Sequence, residues 1–112
     1  MKKNISVITS ICLFLFAPII YAGGSGWTDI VNIAELVPTA RHYYELKLQV
    51  KENPSDCRNK EWFYQDYSAT GSDKMFDTLL KGVTSGFKLR VYVTGRCNLN
   101  GYSEITSVSI SP

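Results

Sequence analysis

The chain has 112 residues, 45% of them hydrophobic, and its 12 basic against 10 acidic residues give a formal charge of +2. Both surplus bases, Lys2 and Lys3, lie in the first 22 residues, so from Gly23 onward the charge is near zero. With no basic stripe to neutralise a run of phosphates, nucleic acid is not the expected partner, while weak colloidal repulsion permits a homo-oligomer.

Residues 1–22 read as a secretory signal peptide. A positive start, Met1-Lys2-Lys3-Asn4, leads into an apolar run from Ile5 to Ile20 and then Ile20-Tyr21-Ala22 ahead of Gly23. The run is short for a bilayer span of about 20 residues. Cys12 follows Ile11 where a lipoprotein signal needs a small residue. Export through the inner membrane to the periplasm or beyond is expected, with no stable membrane anchor. Residues 23–112 then make a single domain, of a size at which exported proteins add disulfides. Cys57 and Cys97 are the two cysteines of that part, and an even count in an oxidising compartment reads as one bridge. There is no Cys-x-x-Cys and His42 is the one histidine, so neither a redox pair nor a zinc site is expected, and no metal or cofactor.

The elements follow in chain order. Trp27 to Leu36 is rich in β-branched residues and stops before Pro38, which predicts a first strand. From His42 to Val50, Tyr44, Leu46, Leu48 and Val50 alternate with Glu45, Lys47 and Gln49, the period of a strand with one buried face. Glu52 to Asp56 is a turn cluster, and Glu61 to Tyr67 is a third strand by aromatic content. Gly71 or Ser72 then caps a helix with Asp73 in its first turn. Met75, Phe76, Leu79, Leu80 and Val83 form its apolar stripe, and Gly86 ends it. Phe87, Leu89, Val91 and Val93 alternate with Lys88, Arg90, Tyr92 and Thr94 in a fourth strand. Gly95 to Gly101 reads as a loop. In the last strand, Tyr102 to Ile110, the apolar phase slips between Ile105 and Val108, predicting a β-bulge near Thr106-Ser107.

The expected fold is mainly β with one helix (α+β), in the order β-β-β-α-β-β with one disulfide. That is the order of an OB-like five-stranded barrel, and a flatter sheet with the helix on one face fits the same pattern.

No reaction machinery is legible. His42 stands alone beside Arg41, no Gly-x-Ser-x-Gly is present, and the acids mostly alternate with apolar residues or sit in turns. A non-catalytic role is expected, with no catalytic residues. The aromatic content points to binding instead. Tyr43 lies out of phase with Tyr44, and Tyr92 shares a face with Arg90, so both are expected at the surface. Tyr43, Tyr67, Arg90 and Tyr92 are therefore the candidate ligand-binding residues. Such rings pack while hydroxyls and guanidinium groups hydrogen-bond, which suits a glycan or a protein partner.

The stretch from Lys74 to Gly95, with its Leu79-Leu80 helix, Ser85-Gly86 and the strand Leu89-Arg90-Val91-Tyr92, resembles the helix-to-strand junction of subtilase-cytotoxin-type B subunits. The closing Ile105-Thr106-Ser107-Val108-Ser109-Ile110 is similar to the last strand of small exported bacterial proteins with an early Trp and one disulfide. This resemblance covers the last 40 or so residues. It implies an OB-type fold, ring-forming oligomers and glycan binding. The serine-centred sialic-acid pocket of those B subunits has no counterpart motif here, so the fold carries over and no binding residue does. The expected function is that of an exported binding domain, a toxin-B-like glycan binder; the alternative is a periplasmic protein-interaction, inhibitor or accessory protein.

Overall fold

The structure, a computed structural model, describes residues 24–112, so the expected signal peptide lies outside the described residues. Alternating sequence becomes strand, and helical spacing becomes helix. The elements are β1 (Gly26–Trp27), β2 (Ile33–Pro38), β3 (Tyr43–Leu48), β4 (Trp62–Asp66), α1 (Ser72–Ser85), β5 (Lys88–Cys97) and β6 (Ser103–Ser111). The strands form one sheet in the order β1-β5-β6-β4-β3-β2. All neighbours are antiparallel except β4 and β6. The described residues are mainly β with one helix and a Cys57–Cys97 disulfide. No helix among the described residues is long and apolar enough to cross a membrane.

The sheet has six strands and is not closed, where five in a barrel were expected. The sixth arises because the expected first strand divides. Its start pairs with β5 and its end with β3, leaving β1 and β2 at opposite edges. Polar side chains mark the division. Thr28, 4% exposed, exchanges hydrogen bonds with Val91 through its backbone N–H and its hydroxyl. Asp29 turns away to accept the N–H groups of Lys51 and Glu52 at 3.1 and 2.9 Å. A single bridge, Val31 to Leu89, lies between the two halves.

Elsewhere local pattern and structure agree closely. In β3, Tyr44, Leu46 and Leu48 are fully buried while Tyr43, Glu45 and Lys47 lie on the outer face. Leu89, Val91 and Val93 of β5 are buried. The bulge falls on Thr106: Tyr92 pairs with Ser107 and Val93 with Ile105, so one step on β5 spans two on β6. Gly95, Arg96 and Cys97 belong to β5 rather than to a loop, with the ladder irregular between Val93 and Cys97.

Helix α1 runs between two left-handed glycines, Gly71 and Gly86, and packs on β6 and β2. Its contact line is narrower than the sequence stripe. Leu79 is fully buried, whereas Leu80 and Val83 are 44% and 46% exposed. The cause is Gly82, which lets the helix approach so closely that an added Cβ would meet Leu89 at 3.2 Å. The line through Ser72, Leu79 and Gly82 therefore faces the sheet and leaves Leu80 and Val83 on a flank.

A polar side chain on β4 lies in the core and is held there through hydrogen bonds. Gln65, 1% exposed, accepts from the Tyr44 hydroxyl at 2.9 Å and donates to the Ile105 carbonyl at 3.0 Å. Burial, with the Tyr67 hydroxyl nearby adding to it, pushes the Tyr44 phenol well above its ordinary pKa. Tyr44 therefore stays a neutral donor at all ordinary pH.

Candidate functional site

The end of the sheet where the β5–β6 turn meets the β2–β3 turn is built to hold one shape. The disulfide joins Cys57 to Cys97, immediately before that turn. Asn98 closes the turn by accepting the N–H groups of Asn100 and Tyr102, each at 3.0 Å, through its side-chain oxygen. Arg58 donates to the Leu99 carbonyl at 3.0 Å, and Asn59 N–H to the Gly101 carbonyl at 3.0 Å. Gly101 has φ +81°, and Arg58 packs against its open side. Beneath, Ser55 and Ser103 share a buried hydrogen bond of 2.7 Å.

Against this turn lies a cavity of about 300 Å³ lined by Arg41, Tyr43, Asn98, Leu99 and Asn100. Arg41 donates to the Tyr43 hydroxyl at 2.7 Å, and its guanidinium sits 5.7 Å from the centre of that ring. No carboxylate pairs with Arg41 within 4 Å among the described residues. Through Tyr43 the cavity adjoins the outer face of β3 and β4, which is unusually aromatic. Tyr43 meets Tyr64 edge-on at 6.1 Å, and Trp62 stacks on Tyr102 at 5.4 Å. Between these rings stand Glu45 and Lys47 of β3, and Glu104, which accepts from Thr94 at 2.9 Å and lies 3.9 Å from Arg96. The acids show in the phenols: burial first, then Glu104 and Asp66 against the opposing pull of Arg96, raises Tyr64. Burial, Glu45 and Tyr43 raise Tyr102. The Tyr64 and Tyr102 hydroxyls are thus protonated at neutral pH and can donate or accept. The arrangement offers flat apolar faces flanked by fixed polar groups, a chemistry complementary to a ligand that is apolar on one side and hydroxylated at its rim.

Of the residues singled out by sequence, Tyr43 is at this cavity. Arg90 and Tyr92 come together elsewhere, at the β1–β5 edge, where the Arg90 guanidinium lies 4.5 Å over Trp27 and Tyr92 meets Trp27 edge-on at 5.5 Å. Strands β6 and β4 separate them from Tyr43. Tyr67 stands apart from both. Its hydroxyl accepts from Thr39 N–H at 2.8 Å and donates to the Thr39 carbonyl at 2.7 Å, tying the β4–α1 turn to the β2–β3 turn. The four thus occupy three places. Arg41, Asn98, Asn100, Trp62, Tyr64 and Tyr102 were not singled out. For Trp62 and Tyr64 a signal existed, since they alternate with Phe63 and so lie on the face opposite the core. For the Asn98–Tyr102 turn there was none, because its nearness to Arg41 is set by strand order.

Among the described residues no group of three or more His, Cys, Asp or Glu side chains is placed to hold a metal ion. No protein-family model, curated protein or solved structure matches the chain.

Proposed function

We propose that the protein is an exported, non-catalytic glycan-binding domain, similar in plan to toxin B subunits, whose sugar site is the cavity between Arg41-Tyr43 and Asn98-Asn100. The observation that carries this reading is the pre-set cavity beside an aromatic face. A turn held by a disulfide, an Asn side chain and Arg58 loses little freedom on binding, which is where weak ligands such as sugars lose most affinity.

The finer fold belongs to the same proposal. We read β1 and β2 as two halves of one bent strand, which makes the order that of a five-stranded OB-like barrel. Three features support it: the parallel β4–β6 pair, the Val31–Leu89 bridge between the halves, and the helix between the third and fourth strands. OB-folds bind oligosaccharides and oligonucleotides on the face of their second and third strands and on the loops beside it. On this reading those strands are β3 and β4, and the loops are the two lining the cavity.

A glycan array probed with the oxidised protein tests the site. Binding that Arg41→Ala or Tyr43→Ala weakens by about tenfold supports it, since about 1.4 kcal/mol is a reasonable share for one anchor. No binding to any glycan refutes it. A protein partner is the second reading, favoured by Leu99, which is 97% exposed at the cavity lip. The solution mass by light scattering tests the B-subunit-like assembly: a closed ring is expected, and a monomer removes it.

A further inference from the structure

A second cavity, away from the proposed sugar site, has a different chemistry. It is about 340 Å³, lies at the start of α1, and is lined by Pro38, Tyr67, Ser72, Asp73, Phe76 and Asp77. An adjoining hollow of about 260 Å³ shares Tyr67, Ser72 and Asp73. We infer that this cavity is a binding site for an organic cation, an ammonium or guanidinium group on an aliphatic stem.

The floor is apolar: Pro38, the ring of Phe76, and Tyr67, whose hydroxyl is already committed to Thr39 and whose ring is free to pack. Two carboxylates, one helical turn apart on α1, stand at its side. A like-charged pair at that spacing destabilises a helix slightly. Asp73 is offset by its place in the first turn, where the helix dipole favours it, and Asp77 lies a turn beyond that benefit. Lys74 and Lys81 lie within a turn of Asp77, and neither comes within 4 Å of a carboxylate. The negative charge is therefore unpaired among the described residues. Buried polarity points the same way. Ser72, only 3% exposed, lines both hollows, and its hydroxyl has no hydrogen-bond partner among the described residues; Gly71, not Ser72, occupies the N-cap, and no side chain caps the helix. A buried hydroxyl left without a partner is costly, and a donor from a ligand relieves it.

An anion would meet both aspartates, and a neutral apolar guest would leave Ser72 unsatisfied. A cation with a stem answers each feature: the stem covers Pro38 and Phe76, the head pairs with Asp73 and Asp77, and one N–H reaches Ser72. Aromatic rings beside the head add cation–π attraction. The cation could be carried on a free diamine or on the Lys or Arg side chain of a peptide.

The test is an amide-resolved NMR titration of the oxidised protein with 1,5-diaminopentane, with agmatine and with the tripeptide Gly-Arg-Gly. Gly-citrulline-Gly, the uncharged match for the tripeptide, is the control. Saturable shifts confined to Tyr67 and the first two turns of α1, weakened about tenfold or more in D73N/D77N and absent with the citrulline peptide, are expected. Tighter binding of the tripeptide than of the diamines assigns the site to a basic peptide, and the reverse order to a free polyamine. Both aspartates are exposed, so the double variant keeps its fold; Ser72→Ala serves as a second variant and should weaken binding while leaving both carboxylates in place. The absence of saturable shifts with all three cations overturns the inference, as does equal binding of the citrulline peptide.

Discussion

Gly101→Ala is the substitution whose cost the structure resolves best, because the molecule holds its own control. Gly101 and Gly86 both have left-handed backbones, φ +81° and +70°. A residue with a Cβ adopts that conformation at a cost of about 1–2 kcal/mol, partly offset by about 0.4–1 kcal/mol from the lost freedom of the unfolded chain. Those terms apply equally at both positions. The surroundings do not. An added Cβ at Gly86 meets nothing within 4 Å, whereas at Gly101 it meets Arg58 Cβ at 2.9 Å and Arg58 Nε at 3.1 Å. Arg58 Cβ cannot swing aside, since Cys57 beside it is bridged to Cys97 and Asn59 on its other side donates to Gly101. Relief requires the turn to open, with loss of the Arg58–Leu99 hydrogen bond. Overpacking of this kind costs about 1–3 kcal/mol. Gly86→Ala should therefore destabilise by up to about 1.6 kcal/mol, and Gly101→Ala by about 1–3 kcal/mol more than that. Urea unfolding of the oxidised proteins measures both. The Gly101→Ala midpoint should fall about 1 M further than the Gly86→Ala midpoint with unchanged slope. Arg58→Gly in the Gly101→Ala background removes the opposing Cβ and should recover part of the loss. Coincident midpoints for the two alanine variants would refute the packing argument, and with it the rigid turn on which the proposed sugar site depends.

Replacing Cys57 or Cys97 with serine removes a cross-link that spans 40 residues and contributes up to about 4 kcal/mol; Tm should fall by more than about 10 °C in calorimetry, and an unchanged Tm would remove the bridge from the stability account. Gln65→Leu leaves the Tyr44 hydroxyl buried without its acceptor and takes the side-chain donor from the Ile105 carbonyl, so it should cost about 2–4 kcal/mol. Tyr44→Phe orphans only the Gln65 oxygen and should cost about 1–2 kcal/mol; denaturant midpoints in the reverse order would contradict this network. At Asp29, burial acts to raise the carboxyl pKa, but the N–H groups of Glu52 and Lys51 outweigh it and hold the pKa below its ordinary value. A depressed carboxyl stabilises the fold above its unfolded pKa of about 3.9 and loses that stabilisation as pH falls through the folded value. The stability gap between the wild type and Asp29→Ala should thus be constant above about pH 5 and shrink below pH 4; a gap independent of pH would overturn this role.

Sequence by itself determined most of the elements. Alternation placed β3 and β5 and their buried faces, helical spacing between Gly71 and Gly86 placed α1, and the slipped phase near Thr106 placed the bulge, because each is a local consequence of chain geometry. The cysteine pair was legible for a similar reason, since a small domain with two cysteines has few alternatives. Tertiary structure decided the rest. Whether Trp27 to Leu36 is one strand or two depends on Asp29 finding amides at Lys51 and Glu52, more than twenty residues away. Leu80 and Val83 became exposed because Gly82 met Leu89 across the core, an approach that helical periodicity does not encode. The same holds for the sites. Tyr43, Tyr67, Arg90 and Tyr92 share exposure and chemistry, which one strand's phase reveals, yet they lie in three places because nearness between strands is set by their order in the sheet. Arg41 and Asn98 meet at one cavity only because β5 returns through β6 beside β4, so that two distant turns close on the same end of the sheet.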